Sequence, residues 1–274
     1  MSALDAASIR GRVPDRIVCL TEEPTEILYA LGEQDRVVGI SAYTVRPPEA
    51  RHDKPVVSAF IGGSVEKIRA LQPDLCIGFS DIQGELAREL IEAGLQVLIF
   101  NQRSLREICE VVLTLGRLVD AGDRARALVD GYVAGIEAAR ARAAFRSHRP
   151  RVYFEEWDDP QICGIRWVSE LIGIAGGVDV FAERARSPMA ADRTVDPSLV
   201  VEAAPEVVAA SWCGKPFDAE AFAARPGYDT LPAVRDGRVH EIDAALVLQP
   251  GPACLTDGLA ALERVIAGAE QSAD

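Results

Sequence analysis

No apolar run in the sequence approaches the length of a membrane span, and the opening MSALDAASIRGRVPDR lacks the apolar stretch of a secretory leader. The expectation from these residues is a cytoplasmic chain without membrane insertion. Basic residues are in the minority. Lys and Arg number 29 against 42 Asp and Glu, a formal charge of −13, whereas a nucleic-acid surface needs clustered cations; nucleic acid is excluded as a partner. The six cysteines (Cys19, Cys76, Cys109, Cys163, Cys213 and Cys254) form no CxxC pair, and several stand in apolar runs, the pattern of buried reduced thiols. With only three histidines, His52, His148 and His240, and no closely spaced ligand pairs, no metal site is expected.

What the chain does have is apolar mass. Its 274 residues, 49% of them hydrophobic, suffice for two α/β lobes, each with its own core. The first half alternates short strands (16–20, 37–40, 75–79, 97–100) with helices (24–31, 65–71, 86–93), two of which end at Gly32 and Gly94, normal helix-terminating positions. Such alternation predicts a parallel sheet covered on both faces. From 104 to 148 helical periodicity is sustained, interrupted only at 120–123, and predicts a long connector. Strands and helices then resume. The segments SVEKIRALQPDLCIGF (64–79) and DPSLVVEAAPEVVAAS (196–211) each give a short helix, an acidic residue beside a proline and an apolar strand, an internal repeat. The expected division is an N-terminal lobe over 16–103, a helical connector over 104–148 and a C-terminal lobe over 149–270.

Ligands of open parallel sheets gather beyond the carboxyl ends of the strands. The loops placed there carry Glu23, Tyr43, Phe60 and Phe79 in the first half, and Glu155, Glu156, Trp157, Arg166, Trp167 and Trp212 in the second. Aromatic faces in such loops suit a large flat ligand, because they offer apolar area at little entropic cost. The acidic run through Glu155, Glu156, Asp158 and Asp159, matched by Glu22 and Glu23, would make the cleft electronegative and disfavour anionic ferric siderophores. Gln249, in the rigid QPGP turn, is placed at the rim of the cleft.

In this order, RIVCLTEEPTEILYALG, VVGISAYTVRPPEA, VSAFIGGSVEKIRALQPDLCIGF, WVSELIGIAGGVDVF and LPAVRDGRVHEID resemble the class III periplasmic-binding-protein superfamily, above all the cobalamin receptors of ABC importers. The resemblance runs from Arg16 to about Ile266. It implies two Rossmann-like lobes with parallel sheets joined by a long backbone helix, and a corrinoid held in the interlobe cleft by aromatic side chains. It also implies an ABC-transporter permease as partner, docked through one glutamate per lobe. Glu66, in SVEKI, matches the first; the internal alignment puts Ser198 at the second, with Glu202 one turn later as a substitute. If the start of a precursor were missing, the location would be periplasmic.

The function expected is therefore reversible binding of cobalamin or a related corrinoid as ligand, with no cofactor and no catalytic residues. The alternatives are a siderophore or haem receptor, and a cytoplasmic relative acting as a sensor or as an enzyme, with Glu155 or Glu156 as base and Cys213 as nucleophile. No Ser-His-Asp order is evident for the latter.

Overall fold

A computed structural model describes residues 13–268. They divide into two compact units: residues up to Asn101 with Val111–Ala127, and Gln102–Glu110 with the chain from Leu128 on.

The first unit alternates strand and helix: β1 (Ile17–Cys19), α1 (Glu22–Ala30), β2 (Val37–Ser41), α2 (Ala50–Asp53), β3 (Val56–Ser58), α3 (Val65–Ala70), β4 (Leu75–Phe79), α4 (Gly84–Glu92) and β5 (Val97–Phe100). The sheet order is β3-β2-β1-β4-β5 with every neighbouring pair parallel. Each strand is apolar along nearly its whole length because helices cover the faces. One core cluster gathers Val18, Leu20, Ile68, Cys76, Leu86 and Leu90.

Helices α5 (Leu105–Leu118) and α6 (Gly122–Ala144) follow, Val111–Ala127 belonging with the first unit and the rest with the second. The helical stretch breaks at Asp120, which adopts φ 59°. Gly116 allows the turn to close: a Cβ there would overlap that of Ala125. Among the described residues no helix is long and apolar enough to cross a membrane.

The second unit continues with β6 (Arg151–Asp158), β7 (Gln161–Cys163), α7 (Arg166–Ile174), β8 (Val178–Asp179), α8 (Ala182–Ala185), α9 (Pro197–Ala203), β9 (Val207–Ala210), α10 (Ala219–Ala223), α11 (Pro232–Arg235), β10 (Val239–Glu241), α12 (Ala244–Val247) and α13 (Leu259–Ala267). Strands β8, β6, β9 and β10 are parallel neighbours, and β7 adds an antiparallel hairpin on β6. The hairpin corrects the expectation that Glu155, Glu156 and Trp157 lie in a loop: β6 runs on to Asp158, so all three lie within a strand.

The internal repeat is visible in the bonding. Arg16 and Arg151 each stand at the start of the first strand of their unit. The Arg16 side chain donates to the carbonyls of Leu71 and Gln72 at the end of α3, and Arg151 donates to that of Ala204 at the end of α9. Each thereby satisfies carbonyls that a helix end leaves open. In return Asp74 Oδ1 accepts from Arg16 N (3.0 Å) and Glu206 Oε2 from Arg151 N (2.9 Å). The parallel registers agree as well, Ile17 opposite Leu75 and Val152 opposite Val207.

Both helices end on a non-glycine residue with positive φ, Gln72 at 49° and Ala204 at 42°, a conformation that costs an L-residue about 1 kcal/mol and glycine almost nothing. Ala204→Gly is expected to stabilise the protein by about 1 kcal/mol, raising the thermal midpoint by roughly 2–4 °C. An unchanged or lower midpoint in scanning calorimetry would contradict that account of the turn.

Candidate functional site

At the carboxyl ends of the first unit's strands, a buried glutamine holds the loops together. Gln83 Nε2 donates to the carbonyls of Leu20 (3.1 Å) and Phe60 (3.2 Å), while its Oε1 accepts from Phe79 N (3.1 Å). Gly78 makes room for it, since a Cβ there would collide with Gln83 Oε1. Phe60 is thus fixed through its backbone and stays half-buried, whereas Phe79 is buried as the last residue of β4. Tyr43 follows β2 and is 47% exposed, its amide bonded to Ser41 Oγ. Glu22 and Glu23 form the first turn of α1, and both are buried.

The same ends of the second unit are built around Glu155, which is fully buried. Its carboxylate accepts from Tyr153 Oη, Gln161 Nε2, Trp212 Nε1 and both terminal nitrogens of Arg225, at 2.6–3.1 Å. Burial alone would lower the Arg225 pKa; the hydrogen bonds to Glu155, its charge and Tyr228 together raise it instead. Glu156 is bidentate to Arg193 at 2.6 and 2.9 Å. Trp157 is half-buried, its indole N–H held by Asp159 O. Asp158 binds Lys215 Nζ at 2.7 and 2.8 Å; burial would raise this carboxyl, and the lysine hydrogen bond, backbone hydrogen bonds and the lysine charge together outweigh it, holding it below its ordinary value.

Beside these residues, beyond β9 and β10, opens a pocket of about 570 Å³ lined by Ser211, Trp212, Lys215, Glu241 and Asp243 among others. It lies at the carboxyl ends of parallel strands, where ligands of such sheets collect. Trp212 reaches it with a mostly buried ring, set edge-on against Phe217 at 4.9 Å.

Two of the expected contacts are corrected. Trp167 is not on a loop: it sits in α7, 3% exposed, and donates to Val247 O at 2.7 Å, because the helix begins one residue before it. Glu155 does not add to an electronegative cleft as expected but is the centre of a buried ion pair. Arg166 is exposed and paired with Glu170. Gln249 is half-buried, with its carbonyl accepting from Gly251 N. Glu66 is exposed in the first turn of α3 and Glu202 exposed on α9. By the shared capping pattern Ser198 stands where Glu66 does, each two residues after its cap, Ser64 or Asp196. Sequence reasoning missed Lys215, Arg193 and Arg225; none adjoins its carboxylate in the chain, and only their presence in an acidic sequence marks them. Among the described residues no three His, Cys, Asp or Glu converge as a metal would require.

Two outcomes follow from the buried carboxylates. Removing the cation from Glu155 leaves a charge stranded in the core, so Arg225→Met is expected to cost about 3–5 kcal/mol in urea unfolding. Adding Glu155→Gln should recover part of that loss; a double variant as unstable as the single would mean that Arg225 acts by packing alone. Burial, and secondly the charge of Glu22, pushes the Glu23 carboxyl up to about 8. The unfolded chain releases this proton near the ordinary 4.5 while the folded chain keeps it. Stability therefore falls as pH rises between those two values, by up to about 5 kcal/mol. Glu23→Gln should flatten the fall, matching the parent near pH 4.5 and exceeding it above pH 8, with a residual slope from Glu22 and Asp179, which burial also raises. Parallel stability curves for variant and parent would overturn this.

Residues 17–246 match the family model described as periplasmic binding protein. Among curated proteins, an uncharacterized ABC transporter substrate-binding lipoprotein of Bacillus subtilis is 26% identical over 270 residues, 95% of this chain and 79% of that one. A vitamin B12-binding protein of Vibrio parahaemolyticus is 26% identical over 246 residues, 88% and 86% of the two chains. Among solved structures, the apo periplasmic heme-binding protein RhuT of Roseiflexus sp. RS-1 is 27% identical, with a TM-score of 0.78 over 92% of this chain and 99% of that one. These findings overturn the expected cytoplasmic location and point to an extracytoplasmic one. The reduced-looking cysteines carry no weight against it: burial pushes the thiols of Cys19, Cys76 and Cys163 up to about 12, where they resist oxidation in any compartment. With a family match that runs from the first strand to the last short helices, the chain belongs to the periplasmic binding proteins, as a substrate-binding protein of ABC importers.

Proposed function

We propose that the transported ligand is a corrinoid, cobalamin or a close relative, bound and released without chemical change. The observation that carries this reading is the state of charge at the second unit's strand ends. Arg193, Arg225 and Lys215 each already hold a carboxylate, that of Glu156, Glu155 and Asp158 respectively. A ligand with several free carboxylates, such as haem or a ferric siderophore, would have to break these pairs. A corrin ring fringed with neutral amides needs flat apolar faces and dispersed hydrogen-bond partners instead. Within the second unit Trp157 and Trp212 bring such faces to the strand ends, with Lys215 lying over them. The Glu23 carboxyl, pushed up to about 8 by burial, is mostly protonated at neutral pH and adds little charge.

Binding without turnover agrees with Glu155 being held by five hydrogen bonds, which leaves it unfit as a mobile base. We further assign Glu66 and Glu202, both exposed on short helices, to contact with the permease.

Titration of the purified protein with cyanocobalamin, followed by tryptophan fluorescence, is expected to give saturable quenching that weakens roughly tenfold or more, at least about 1.4 kcal/mol, in Trp157→Ala. Haem binding tighter than any corrinoid, with a shifted Soret band, would transfer the assignment to haem. Absence of corrinoid binding would end this reading of the ligand.

A further inference from the structure

The geometry points to a recognition box for an alkylammonium group in the second unit, formed by Trp157, Trp212 and Asp158 and filled in the free protein by the chain's own Lys215. The lysine ammonium lies over both indoles, 4.5 Å from the Trp157 ring centre and 4.7 Å from that of Trp212, within the roughly 6 Å over which an aromatic face attracts a cation. Asp158 closes a third side with both carboxylate oxygens, at 2.7 and 2.8 Å. Two indoles and a carboxylate around one ammonium is the arrangement by which proteins bind organic cations.

The two indoles have anchors besides their occupant. Trp157 is anchored through Asp159 O, and Trp212 through Glu155 and Phe217. Glu155 is in turn buried and held by Arg225. The occupant, by contrast, hangs on a short loop. Lys215 is 39% exposed and follows Gly214, whose φ of 81° allows the tight turn that brings the lysine over the rings. If that turn opened, the ammonium would leave and the box would remain, beside a pocket whose lining includes Glu241 and Asp243. The net charge of −13 favours the approach of a cation. Lys215 is thus a tethered competitor, and the incoming group that matches the box is a primary or quaternary alkylammonium. The box shares Trp157 and Trp212 with the corrinoid reading but does not rest on it, because it is defined by the group it already holds; tetramethylammonium binding without corrinoid binding, or the reverse, separates the two.

The test uses tetramethylammonium chloride at constant ionic strength, read by tryptophan fluorescence of the full chain. Lys215→Ala, a change on an exposed loop, should bind the ion saturably and at least tenfold more tightly than the parent. Adding Trp157→Leu should abolish the gain. A second readout needs no variant. The chain has three lysines, Lys54, Lys67 and Lys215, so lysine labelled with carbon-13 at Cε gives three resolvable signals. The Lys215 ε-protons should be shifted upfield by the two rings and should move toward the other two as the ion is added. Equal affinity in Lys215→Ala and parent, or an unshifted Lys215 signal that ignores the ion, would overturn the box and leave Lys215 a loop clamp.

Discussion

Glu155 has no contact with solvent, and a carboxylate in that position has to be given counter-charge and hydrogen-bond donors or its burial would cost the fold several kcal/mol. Meeting that demand organises the second unit's functional end. Arg225 is drawn in over the rings of Phe222 and Tyr228. Gln161 is fixed between Glu155 and Tyr228, which ties the β7 hairpin to the helical segment after α10. Trp212 is oriented by its indole N–H, and burial with the neighbouring carboxylate raises the Tyr153 hydroxyl pKa well above its ordinary value, so it stays a donor. The aromatic wall available to a ligand is a by-product of neutralising one buried charge.

The fold was legible because parallel sheets leave a strong mark: strands that are apolar throughout, helices between them, and glycines at φ 71°, 83° and 94° after α1, α4 and α7. The repeat could be read from the helix, acidic–proline and strand pattern because its charged residues act locally on backbone groups. For the candidate site residues, the sequence predicts placement only where position along the chain determines it. Tyr43 and Phe60 follow strands, and the structure leaves both at least partly accessible. Trp167 was misplaced because one residue decides whether a tryptophan opens a loop or enters a helix. Glu155 looked like one of four equivalent acids, since the side chains that bury it come from as far away as Arg225, and neither periodicity nor spacing encodes such a pairing. Location was misread because it was drawn from the opening residues, and the cysteines could not correct it: a buried thiol has the same sequence signature in a reducing and an oxidising compartment.

The two copies of the repeat show how the architecture accommodates different chemistry. At the amino ends of the strands they are alike, arginine on the helix carbonyls and carboxylate on the strand amide, in the first unit through Arg16 and Asp74 and in the second through Arg151 and Glu206. At the carboxyl ends they diverge. The residue in register with Glu155 is Leu20, a core aliphatic whose carbonyl is bound by Gln83 and Ser58. One copy closes its strand ends with neutral amide and hydroxyl groups, the other with ion pairs. Because register and helix position are set at the far end of each strand, residues at the near end can change charge and size without shifting the sheet. That separation lets a single α/β plan present largely uncharged strand ends in one unit and charge-paired, aromatic ones in the other.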